Sequence, residues 1–105
     1  MATPKQALSD WRARCSNYVK HLAWQREVFK TVTTPGEGIN IFNYLKKKWE
    51  SIYQSYLGVL ASFPKDPSQE EDKMCIEQEE ILARASEDYD NSIFQMTRRI
   101  KTLKR

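Results

Sequence analysis

The chain has 105 residues with 17 basic and 14 acidic side chains, a net charge of +3, and only 3 glycines and 4 prolines. One hydrophobic core is the natural expectation for this length, and the composition excludes disordered, collagen-like and disulfide-scaffold classes. No uncharged apolar run of about 18 residues and no leader-peptide pattern occurs, so an intracellular protein, cytoplasmic or nuclear, without stable membrane insertion is expected.

Thr3-Pro4-Lys5-Gln6 combines a capping hydroxyl, a proline suited to the first helical position and a glutamine three residues after the cap, which predicts a helix start. From there Leu8, Trp11, Cys15, Tyr18, Leu22, Phe29 and Val32 recur at steps of three and four, with Gln25 as the gap. A helix over 4–32 is predicted, with the period of a coiled-coil seam. Successive residues turn by ~100°, which aims Trp24 about 160° away from the middle of that seam, with Val28 one turn later. An exposed tryptophan is a strong docking candidate, because tryptophan is enriched at binding hot spots.

Pro35, Gly36 and Gly38 interrupt the pattern and predict a hinge. A second helix follows over 39–63, with Phe42, Leu45, Trp49, Ile52, Tyr56, Val59 and Phe63 as its seam. Ile41 and Tyr44 fall to one side of that seam and Tyr53, Leu57 and Leu60 to the other. The apolar arc is therefore wider than the ~100° of a surface helix, as suits a middle helix with two neighbours. Lys46, Lys47 and Lys48 are spread by the helical rotation over ~200° and cannot line one groove. Lys47 points to solvent, while Lys46 and Lys48 can lie over Trp49 and its neighbours.

A second hinge at Pro64–Gln69 offers two restarts: Asp66 as cap with Pro67 first in the helix, or Ser68 paired with Glu71. The third helix is predicted over 67–104, carrying Ile81, Leu82, Ala85, Tyr89, Ile93, Met96, Ile100 and Leu103. Short hinges make neighbours antiparallel, giving an all-α, three-helix, up-down-up bundle or coiled-coil-like assembly with a long C-terminal helix. At ~1.5 Å per residue the helices measure ~43, ~36 and ~57 Å, so the last ~20 Å of the third is expected to project. Ile93, Met96, Ile100 and Leu103 on such a projection would call for a partner, and self-association into a homo-oligomer is the simplest supply. The same topology puts Cys15 and Cys75 at similar heights; their spacing is not that of a metal pair, reduced thiols are expected, and a bridge between them is the alternative that this geometry allows.

Residues 1–33 hold six basic and two acidic side chains, and residues 65–90 hold three and ten. Lys5, Arg12 and Arg26 share one flank of the first helix and are expected to meet Glu70, Glu77, Glu80 or Glu87 of the third. The closing run Arg98, Arg99, Lys101, Lys104 and Arg105 has no acid within it, and with Lys47 it supplies the candidate contacts to RNA, DNA or an acidic partner. One histidine, His21, with no second ligand at helical spacing, and no nucleophile or phosphate-loop motif point to a non-enzymatic chain without metal or cofactor. The expected function is a helical protein–protein interaction and assembly module presenting Trp24, Val28 and the end of the third helix. The alternative is a small nucleic-acid binder that reads shape through basic helix faces.

Overall fold

Each helix begins on a cap that the local sequence supplies. A computed structural model of the chain describes residues 3–104, in which α1 spans Pro4–Phe29, α2 Pro35–Ala61 and α3 Gln69–Lys104. Thr3 accepts a hydrogen bond from the Gln6 amide at 3.1 Å, with Pro4 in the first turn. Ser68 and Glu71 form a reciprocal box: the Ser68 amide donates to Glu71 Oε1 at 3.0 Å and the Glu71 amide to Ser68 Oγ at 3.2 Å. This is the second of the two expected restarts, two residues later than the predicted start at 67.

The first hinge is shorter than expected. Thr34 accepts from the Glu37 amide at 3.4 Å with Pro35 in the first turn, so α2 starts at Pro35 rather than 39. Proline is suited to that position because its missing N–H has no intrahelical partner there. At the other end of the hinge, α1 stops at Phe29 rather than 32, and Thr31 and Val32 turn back through bonds to the Val28 and Phe29 carbonyls. Val32 is nevertheless buried.

All three helices pack on one another as a three-helix bundle. Two indole and phenol bonds fix α1 against α2: Trp11 Nε1 donates to the Ile52 carbonyl at 2.9 Å and Tyr18 Oη to the Leu45 carbonyl at 2.7 Å. Seven residues forward on α1 match seven back on α2, so the two run antiparallel. Lys5 lies 3.3 Å from Glu70 and Arg12 3.8 Å from Glu77, a constant offset of 65 residues that makes α1 and α3 parallel. The third α1–α3 ion pair joins Arg26 to Asp88 at 3.3 Å, which is none of the four expected partners Glu70, Glu77, Glu80 and Glu87, and Arg26 also donates to Ser92 Oγ at 3.0 Å. These pairs are at least partly exposed and select register more than they stabilise. The same offset sets Cys15 level with Glu80, a little over one turn from Cys75; both thiols are free.

All seven seam residues expected on the first helix, from Leu8 to Val32, are buried, and Leu45, Ile52, Tyr56, Ala85, Met96 and Ile100 complete the centre. Of the five apolar residues flanking the α2 seam, Ile41 and Leu60 are packed against this core, whereas Tyr44, Tyr53 and Leu57 are exposed, so the wide arc is only partly used by the two neighbouring helices. Tyr18, Trp49 and Tyr89 form an aromatic ladder across all three helices, with centroids 5.7 and 5.0 Å apart.

The expected apolar overhang of α3 is not there. Met96 is 1% and Ile100 8% exposed, and Ile93 and Leu103 are half-buried. The hinge and the early start of α2 extend beyond the end of α1 and give these turns a surface to close on. Gly38 makes the closest approach: a Cβ there would sit 3.1 Å from Ile100 Cγ1 and 3.2 Å from Phe29 Cζ, whereas one at Gly58 would meet nothing within 4 Å. Gly58→Ala is therefore expected to stabilise by about 0.5–1 kcal/mol through helix propensity, and Gly38→Val to cost about 1–3 kcal/mol by overpacking. Urea unfolding of the two variants checks this; a Gly38→Val chain as stable as the parent would contradict the close approach.

A candidate protein-docking face on helices one and two

The side of α1 turned toward α2 continues outward into an aromatic cluster. Trp24 is 60% and Tyr44 50% exposed. Half-buried His21 lies between them, with ring centroids 5.8 Å from Trp24 and 5.9 Å from Tyr44, the latter edge-on. Trp24 and His21 meet because three residues along a helix return to the same face. Tyr44 joins them because the Trp11–Ile52 and Tyr18–Leu45 bonds set the two helices in register. Val28, expected beside Trp24, is half-buried at the end of α1.

A groove of about 270 Å³ opens next to the cluster, with Arg14, Asn17 and His21 on one wall and Tyr44, Lys48 and Ser51 on the other. Arg14 donates to Ser55 Oγ at 3.1 Å across the gap, and Lys48 Nζ stands 5.8 Å from the Tyr44 ring centroid. Gln25 Nε2 lies 3.4 Å from His21 Nε2, and Gln25 Oε1 is buried with no hydrogen-bond partner among the described residues. Tyr18 forms the back of the groove; burial, and then the neighbouring Tyr89, push its phenol well above the ordinary tyrosine range. It is therefore a neutral hydrogen-bond donor rather than an acid–base group. Burial also pushes up the thiol of Cys15, and that of Cys75 together with the nearby Asp72, Glu79 and Glu71 carboxylates. Neither environment promotes a thiolate.

The remaining expected contact residues are scattered. Arg99 donates to the Val32 carbonyl at 3.0 Å and the Lys30 carbonyl at 3.4 Å, closing the backbone after α1. Arg98 lies 5.8 Å from the ring of Phe94, one turn earlier on its own helix. Lys101 and Lys104 occupy the last turn of α3, where cations oppose the helix dipole, and Arg105 lies outside the described residues. Lys47 is exposed. Lys46 and Lys48 do lie along rings, but on Phe42 and Tyr44 rather than on Trp49. Met96 and Ile100 are closed off inside the bundle. Of the expected site residues, only Trp24, with Val28 at its edge, belongs to the cluster; His21, Tyr44 and Arg14 are additions that a one-helix rotation does not reveal.

Among the described residues, no group of three or more His, Cys, Asp or Glu is placed to hold a metal ion. No described helix is long and apolar enough to cross a membrane. Comparison with known proteins finds no matching family, no matching curated sequence and no matching solved structure.

Proposed function

We propose that this chain is a non-enzymatic helical interaction module whose docking point is the face formed by Trp24, His21 and Tyr44. The observation that carries this reading is the exposure of two large aromatic rings on two packed helices, each in contact with the His21 ring between them. Burying such side chains against a partner releases much apolar surface from water, and with few rotatable bonds they lose little entropy when they bind. Arg14 and Lys48 beside the rings favour a partner that brings acidic side chains to the rim.

The same rings and cations favour one second reading, a single-stranded nucleic-acid platform in which bases stack on Trp24 and Tyr44. The C-terminal run adds less to it than its composition suggests, since Arg99 is engaged with backbone carbonyls and Arg98 with Phe94. Affinity capture with parent and Trp24→Ala baits, with and without nuclease, separates the readings. The expected result is a protein retained by the parent, insensitive to nuclease, whose Kd rises about 30-fold or more on Trp24→Ala, as for a tryptophan hot spot. Equal binding to both baits would remove the docking role from this face, and nuclease-sensitive capture would transfer it to nucleic acid.

A further inference from the structure

A second groove, of about 670 Å³, runs between α1 and α3 on the opposite flank of α1 from the aromatic cluster. Its floor is apolar, with Cys15, Val19, Ile81 and Ala85. Its lips carry Arg12 and Lys20 from α1 and Arg84 and Asp88 from α3. Two of these charges are answered within the chain, Arg12 by Glu77 and Asp88 by Arg26. Lys20 and Arg84 have no acidic partner among the described residues. The 65-residue offset of the two helices puts Lys20 level with Ala85, and therefore beside Arg84 on the facing lip. Both are exposed; Arg84 has Glu80, Glu87 and Asp88 within one turn of its own helix, whereas the residues three and four away from Lys20 on α1, Ser16, Asn17, Ala23 and Trp24, include no carboxylate. An anionic group lying along the groove meets Lys20 on one lip and Arg84 on the other.

The complement is on the same chain. At ~100° per residue, Ile76, Glu80, Ala83, Glu87, Asp90 and Phe94 fall on one stripe of α3 pointing away from the core. All six are exposed, Ile76 at 58% and Phe94 at 62%. Glu80, Glu87 and Asp90 have no ion-pair partner among the described residues. The groove is thus apolar at its floor with three basic residues and Asp88 on its lips, and the stripe is a mixture of three apolar and three acidic side chains.

We infer that the occupant of the α1–α3 groove is the outer stripe of α3 from a second copy of this chain, with its Glu80 and Glu87 region lying between Lys20 and Arg84. Stripe and groove adjoin on α3, where Arg84 stands one turn from Glu80 and Glu87, but they are not the same patch, so the contact is heterologous: each copy can give and receive one, and the assembly closes into a ring or extends. The inference rests on the reading of the chain as an interaction module but uses a surface separate from Trp24, which stays free for a different protein.

The test is light scattering at micromolar concentration with charge-reversed chains. The parent is expected to show a concentration-dependent mass above the 12.4 kDa of one copy, falling with added salt. Lys20→Glu with Arg84→Glu gives an acidic groove facing an acidic stripe, and Glu80→Lys with Glu87→Lys a basic stripe facing a basic groove. Each double variant is expected to be monomeric, and an equimolar mixture of the two to recover the higher mass, because each then offers what the other lacks. Trp24→Ala should assemble like the parent. A monomeric parent, a mixture that stays monomeric, or loss of assembly on Trp24→Ala would each overturn the inference. Since partner capture is read on Trp24 alone, a monomeric parent that still loses its partner on Trp24→Ala would leave the docking face standing.

Discussion

Trp11→Ala is expected to lower the free energy of unfolding by about 3–5 kcal/mol, the usual range for truncating a buried tryptophan. The indole is 2% exposed, lies 5.0 Å from the Tyr56 ring and donates to the Ile52 carbonyl. Alanine removes the ring contacts, leaves a void between α1 and α2, and deletes one of the two bonds that fix their register. A domain of this size has about 5–15 kcal/mol of stability in total, so the variant should lose a large share of it. Trp11→Phe keeps most of the bulk and leaves the Ile52 carbonyl within its own helical ladder, and is expected to cost only about 1–2 kcal/mol. Urea unfolding followed by circular dichroism measures both; a Trp11→Ala cost below that of Trp11→Phe would mean that the indole does not fill the space assigned to it.

The opposite sign is expected at Gln78. This residue is fully buried, and neither its amide nitrogen nor its oxygen has a hydrogen-bond partner among the described residues. An unpaired buried amide retains the cost of leaving water, about 1–3 kcal/mol. Gln78→Leu, similar in volume and without polar atoms, should therefore raise stability by about that amount. The denaturant midpoint should move up with its slope unchanged, since the surface exposed on unfolding hardly differs. A lower midpoint would show that the amide has a bonded partner in solution.

The bundle could be read from spacing because burial follows the helical period. Every apolar seam position from Leu8 to Phe29 on α1, and Val32 just beyond it, is buried, and the Thr3–Pro4 and Ser68–Glu71 caps sit where their chemistry allows. The start of α2 was harder to read. Gly36 and Gly38 argue against helix by propensity, while Thr34–Pro35 repeats the cap already seen at Thr3–Pro4, and in the structure the cap prevails. That shift of four residues also explains the end of α3. Comparing helix lengths from a level start ignores the hinge and the first turn of α2, and it is there that Gly38 admits Ile100.

Gln78 and Ser92 illustrate a second limit of pattern reading. A polar residue at a seam position looks like a break in the stripe, yet both are fully buried. Of the docking face, rotation about one helix shows where Trp24 points, but His21 and Tyr44 become its neighbours only through the packing of α1 on α2. Two of the α1–α3 ion pairs were legible, because Lys5 and Arg12 share a column and Glu70 and Glu77 recur at matching heights; Arg26 instead reaches back to Asp88, three residues short of that offset.

Which surfaces are free for a partner depends on whether the last turns of α3 are sealed by the rest of the chain. Amide hydrogen exchange on the free protein measures this directly. The structure predicts that Met96 and Ile100 exchange as slowly as Leu22 and Leu45 at the centre of the bundle, with fast exchange confined to the final turn at Thr102–Lys104. Exchange at Met96 and Ile100 as fast as in that final turn would return the free apolar surface to the end of α3 and contradict the placement of the docking site on α1 and α2.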